Sequence, residues 1–218
     1  IPEKSKKYYS ENIIYLPCYQ VNDTQNFPKN TSLRRQDFGI SEDVFVFSCF
    51  NNNYKITPDI FDCWARILKQ ADQSVLMLYV KNETAIKNLK TEINNRGIDP
   101  NRLIFAKLLA RPEYLARYQV VDLFLDTLPS NGGTTTSDAL RMGVPVLTCI
   151  GESFASRMTA SLLNSLDLPE LITTTLEQYE SLAIEFFTNP AKFNTLKEKL
   201  VSSLPTAQLY DNSLFTKH

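Results

Sequence analysis

Histidine is almost missing from this chain of 218 residues: the one example is His218, the last residue. Any mechanism that needs an internal histidine as base, nucleophile or metal ligand is thereby excluded. The four cysteines, Cys18, Cys49, Cys63 and Cys149, lie far apart with no C-x-x-C spacing. That argues against a zinc site and fits reduced thiols buried as small apolar side chains. No apolar run approaches the roughly 20 residues of a membrane span, and the segment Ile1 to Lys7 lacks the apolar centre of a signal peptide. A cytoplasmic protein with no membrane partner is the expectation. Charge of one sign is not in excess either: 23 Lys and Arg stand against 24 Asp and Glu. A net charge of −1 leaves no overall basic field for a nucleic-acid backbone, so nucleic acid is not an expected partner.

What is present is ordinary globular composition, 43% hydrophobic and 22% charged, enough for one sizeable core. Short apolar runs of strand length recur at Val44–Phe50, Val75–Val80, Leu103–Phe105, Val120–Leu125 and Val144–Cys149, as expected of strands buried on both faces. Pro145 fits best at the start of the last run. Between them, Ile60, Phe61, Trp64, Ile67 and Leu68 recur at helical spacing, as do Ile86, Leu89 and Ile93 ahead of Gly97. This alternation predicts an α/β fold with a doubly wound, Rossmann-like parallel sheet over residues 41–218. Beyond it the pattern is helical through Phe154–Leu166, Leu176–Phe187 and Ala191–Leu200, with a short strand near Leu171–Ile172. Residues 1–40 carry polar clusters, Pro2, Pro17 and Pro28, and a short helix closed by Gly39. They read as a linker and edge segment with a strand or two. A start at Ile1 and an end in the helix-compatible Leu214–His218 suggest a piece of a longer protein.

In open parallel sheets ligands bind at the carboxyl ends of the strands, which directs attention to the turns that follow them. In Asp126–Leu140 a buried strand leads to Gly132-Gly133, then to Thr134, Thr135 and Thr136, then to a helix. Glycine permits close backbone approach, the helix N-terminus offers free N–H groups, and the hydroxyls add donors; together they suit a diphosphate. Asp138, one turn into the helix, can accept from ribose hydroxyls. The plainer alternative is a Thr or Ser cap with Asp138 favouring the helix dipole, and it stays open because neither G-x-G-x-x-G nor G-x-x-x-x-G-K-[ST] occurs. The turn Asn51-Asn52-Asn53-Tyr54-Lys55 sits at the same sheet edge, ahead of a helix start marked by Thr57-Pro58-Asp59, and places Lys55 to meet a phosphate. The segment Lys107–Arg117 adds Tyr114, able to stack on a base, with Arg111 and Arg117 for its edge or sugar. From the residues alone, an amphipathic helix with its arginines in water fits that segment better.

Three of these stretches, in this order, resemble the carboxyl-terminal catalytic lobe of the O-linked N-acetylglucosaminyltransferases. They are Phe50–Ile56; Asp126-Thr127 with Asn131–Pro145; and Gly151–Arg157. The resemblance runs from about Ile13 to the end. It implies one lobe of an inverting, metal-independent glycosyltransferase of the two-lobed GT-B type, with UDP-N-acetylglucosamine (UDP-GlcNAc) as donor substrate, no cofactor and no metal. By the same resemblance Asn52 and Lys55 hold the diphosphate, and Lys55 is the catalytic group that stabilises the leaving nucleotide. The backbone at Leu108 and Leu109, with Arg111, Tyr114 and Arg117, surrounds base and ribose; Gly133, Thr134, Thr135 and Thr136 meet phosphate; Asp138 takes the ribose. The partner would be a protein Ser or Thr, recognised through an amino-terminal lobe and tetratricopeptide-type helical repeats that these residues lack. Two positions depart from the family pattern: Asn52 replaces a glutamine, and Gly133 replaces a histidine. The Gly133–Thr136 run is also similar to the Spindly branch, which implies fucose transfer from GDP-fucose as an alternative. A non-catalytic nucleotide-binding module is another.

Overall fold

The structure is a computed structural model, and it describes residues 1–16 and 33–218. Six parallel strands form one sheet: β1 (Phe45–Cys49), β2 (Ser74–Tyr79), β3 (Leu103–Ala106), β4 (Leu123–Leu125), β5 (Val146–Cys149) and β6 (Ile172–Thr173). Their order is β3-β2-β1-β4-β5-β6. The chain walks outward from β1 to β3, returns to the far side of β1, and walks the other way to β6. That reversal lies between β1 and β4, which pair at Phe47 with Leu123 and at Ser48 with Phe124. Ligands of doubly wound sheets bind in the crevice at such a reversal.

Helices follow the strands: α1 (Pro58–Gln70), α2 (Glu83–Asn95), α3 (Arg111–Ala116), α4 (Thr134–Arg141) and α5 (Met158–Ser165). The last stretch is α6 (Leu176–Thr188), α7 (Pro190–Ser203) and α8 (Asn212–Lys217). Polar side chains start several of them in the manner expected. Thr57 accepts from Ile60 N at 3.5 Å with Pro58 at the first helical position, and Asn82 accepts from Ala85 N at 3.1 Å. The core is continuous across the sheet, with Trp64, Phe47, Phe124, Met77 and Tyr179 all fully buried. Packing of α6 on α1 is pinned by Trp64 Nε1, which donates to Tyr179 Oη at 3.3 Å.

The strand and helix expectations hold with three shifts. The run from Val120 becomes strand only at Leu123, because Arg117–Val120 closes as a 3₁₀ turn behind α3 and leaves Asp122 to bind Arg35. The helix expected from Phe154 starts at Met158, because Gly151–Arg157 folds as its own turn: Gly151 N donates to Ser156 O, and Ser156 N to Ser153 O. In residues 1–40 the described part holds two 3₁₀ helices, Glu3–Tyr8 and Arg35–Phe38, and no strand. Pro17, Cys18 and Pro28 lie outside the described residues. Gly39 closes Arg35–Phe38 at φ +70°, where a side chain is strained. Arg35 anchors this segment by donating to Val44 O and, at 2.7 Å, to Asp122 Oδ2. Cys49, Cys63 and Cys149 are free and buried, as expected of small apolar side chains.

Candidate functional site

At the carboxyl ends of β1, β2 and β4 lies a cavity of about 370 Å³. One end is aromatic and basic, lined by Phe50, Tyr79, Leu108, Leu109, Tyr114 and Arg117; the other is polar, lined by Asn51, Asn52, Tyr54, Lys55, Gly133, Thr134 and Thr135. The three separate turns read from the sequence thus meet in one cleft.

The polar end is built on Asp126, the residue after β4. Its carboxylate is fully buried and faces neutral donors: Gly132 N at 2.7 Å and Asn51 Nδ2 at 3.0 Å on Oδ1, and Thr148 Oγ1 at 2.9 Å on Oδ2. Burial pushes its pKa up, and these donors partly offset that. Asn51 also donates to Thr127 Oγ1 at 2.8 Å and accepts a short hydrogen bond from Thr135 Oγ1, so it ties the β1 turn to the first turn of α4. A Cβ on Gly132 would lie 2.8 Å from Thr135 Oγ1 and 2.9 Å from Asn51 Oδ1, so only glycine fits under this link.

Among the described residues no side chain caps α4. The alternative in which a hydroxyl satisfies the helix start is therefore set aside, and the first N–H groups of α4 remain for an anion. Lys55 approaches the same point and donates to Asn131 O at 2.7 Å, with further ammonium donors to spare. Asn131 N in turn donates to Ala155 O at 2.9 Å, so the Gly151–Arg157 turn braces the loop. Glu152 and Ser153 do not cap α5; Glu152 pairs with Lys4 at 3.1 Å, and Ser153 bonds Ser156.

At the aromatic end the Arg117 guanidinium lies 3.9 Å from the Phe50 ring centre and 5.1 Å from that of Tyr114. It is 1% exposed, and only Nη1 has an acceptor, Lys107 O at 3.1 Å; Nε and Nη2 have none among the described residues. Buried donors without a partner are rare, and the expectation of an arginine in water is corrected. Burial pushes the Tyr114 hydroxyl up to about 12, so it stays a neutral donor.

Three expected contacts lie apart from the cavity wall. Thr136 points inward and shares a 3.0 Å hydrogen bond with Thr159 Oγ1. Asp138, with no exposed side-chain surface, is gripped by Arg111 at 2.6 and 2.7 Å. Phe50, Asn51, Tyr54 and Tyr79 were not assigned from sequence, although each ends or follows a strand at the edge where the cleft forms.

Against known proteins, residues 14–218 match the model of glycosyl transferase family 41. The chain belongs to that family. It is 34% identical over 217 residues to the probable UDP-N-acetylglucosamine--peptide N-acetylglucosaminyltransferase SEC of Arabidopsis thaliana, covering 96% of this chain and 22% of that protein. It is 28% identical over 225 residues to the probable enzyme of the same name, SPINDLY, of Petunia hybrida, covering 100% of this chain and 24% of that one. Among solved structures, an O-GlcNAc transferase mutant of Thermobaculum terrenum superposes with a TM-score of 0.86 at 31% identity, over 99% of this chain and 41% of the other. The chain therefore spans about a fifth to a quarter of the length of these two curated relatives. No helix among the described residues is long and apolar enough to cross a membrane.

Proposed function

We propose that this chain is the donor-binding lobe of a protein O-glycosyltransferase, transferring N-acetylglucosamine from UDP-GlcNAc to Ser or Thr hydroxyls with inversion and without a metal. The observation that carries the reading is the two-ended cleft, which has the chemistry of a nucleoside diphosphate along its length: rings and arginine at one end, an uncapped helix start with Lys55 at the other. The acceptor oxygen attacks the anomeric carbon as the bond to the diphosphate breaks, and one displacement inverts the configuration. Negative charge grows on the departing phosphate, where the Lys55 ammonium and the Gly133–Thr135 amides stabilise it. Neither a carboxylate nor a histidine lines the cavity among the described residues, so the acceptor proton leaves to a group outside it. Acceptor recognition then belongs to regions that the longer relatives possess beyond this lobe. Three buried free thiols accord with a cytoplasmic setting.

Titration calorimetry of the 218-residue chain with UDP and with GDP, each with and without EDTA, tests this. The reading expects UDP to bind better than GDP and the chelator to leave affinity unchanged. Preference for GDP would move the donor to GDP-fucose, and a large chelator effect would overturn metal independence.

A further inference from the structure

Tyr118 does not line the cleft, yet it joins the two ends. It is fully buried, its ring edge-on to Phe50 at 5.1 Å and to Tyr114 at 5.7 Å between centres. Its hydroxyl donates to Thr135 O at 3.1 Å. A hydroxyl has one proton, so the 3.0 Å contact between the two phenols runs from Tyr114 as donor to Tyr118 as acceptor. Tyr114 lines the aromatic end, and Thr135 lies in the first turn of α4 at the polar end. The Thr135 hydroxyl is already held by Asn51, which is held by Asp126. Thr135 is therefore fixed from both sides, by its side chain to the β1 turn and by its carbonyl to Tyr118.

We propose that Tyr118 is a positioning residue whose hydroxyl couples the Tyr114 ring, at the nucleobase end, to the diphosphate-binding turn of α4. This rests on the donor-cleft reading above and adds that base and phosphate are bound as one event. A base stacking on Tyr114 holds that ring in the position from which it supports Tyr118, and Tyr118 in turn holds Thr135 where the α4 amides meet phosphate. Chains of hydroxyl hydrogen bonds strengthen one another in this manner inside proteins.

The test is a double-variant cycle on the 218-residue chain, with UDP as the probe and thermal unfolding recorded alongside. Tyr118→Phe keeps the ring and its packing and removes only the link; Tyr114→Phe breaks the same link from the partly buried ring on the cavity wall. Each variant is expected to weaken UDP binding by about three- to tenfold, the worth of one hydrogen bond. The double variant is expected to lose no more than either alone, since both break one chain. Unchanged UDP affinity in Tyr118→Phe with a lowered unfolding temperature would make the residue merely structural and overturn the proposal. Losses that multiply in the double variant would overturn it as well, because the two rings would then act independently. If the parent chain bound neither UDP nor GDP, the donor-cleft reading itself would fall and take this proposal with it; parent binding with an unaffected Tyr118→Phe removes only the proposal.

Discussion

Arg111 and Asp138 grip one another through two parallel hydrogen bonds of 2.6 and 2.7 Å, the guanidinium half in water and the carboxylate wholly covered. The two residues read from the sequence as separate ribose contacts are thus one unit. A ribose that reaches Asp138 has to share it with Arg111 or be met by the outer N–H groups of Arg111 instead.

The pair makes an asymmetric prediction for stability. Arg111→Ala takes the guanidinium from a buried carboxylate, whereas Asp138→Ala removes the carboxylate and lets Arg111 turn to water. With the guanidinium 43% exposed, the first should cost about 1 to 3 kcal/mol, or roughly 2 to 12 °C in a chain of this size. The second should cost less. Thermal unfolding of both variants checks this; equal losses would mean that the ion pair contributes nothing beyond packing.

The parallel sheet and its helices were legible because Val75–Val80 or Val144–Cys149 can hardly be other than doubly buried strands. Their edges were less so. Val120 and Val121 are as apolar as Leu123, and only the 3₁₀ closure behind α3 keeps them out of the strand. In the cleft, the places of Lys55 and Gly133 were legible from their turns, because position after a strand is itself the signal; that of Tyr114 came from the family resemblance, since its residues alone fit an ordinary amphipathic helix better. Asp126 and Asn51 were not assigned roles. Their importance lies in hydrogen bonds to each other and to Gly132 across 75 and 6 residues of sequence, and no local spacing encodes such a partner. The burial of Arg117 was invisible for the same reason: Phe50, the ring nearest its guanidinium, comes from the distant turn after β1.

Lys55 and Asp138 should fail differently in the complete enzyme. Lys55→Ala removes a charge aimed at the bond that breaks, so kcat should fall by about a hundredfold or more, with a smaller change in donor KM. Asp138→Ala touches groups engaged equally before and during reaction, so donor KM should rise and kcat hold. Steady-state kinetics with a peptide acceptor decides; intact turnover in Lys55→Ala would leave that residue an ordinary loop lysine.

Asp126 carries a pH signature. Its folded pKa is raised above the ordinary 3.8 by burial, so the native chain holds this proton more tightly than the unfolded one. Its contribution to stability is present below pH 3.8 and is lost as pH rises through the folded pKa. Asp126→Asn keeps the shape without the titration. The variant should therefore gain on the parent in unfolding temperature as pH rises from about 4 to about 7. A variant that gains nothing on the parent over that range would contradict the raised pKa of Asp126.

Whether this cleft takes a nucleotide lengthwise is tested most directly by a crystal structure of the chain with UDP bound. The uracil is expected beside Tyr114 and Arg117, with Nε or Nη2 of Arg117 donating to it. The diphosphate should lie on the Gly133–Thr135 amides within reach of Lys55 Nζ. UDP lying elsewhere on the sheet edge, or reversed with its phosphates toward Arg117, would contradict that placement.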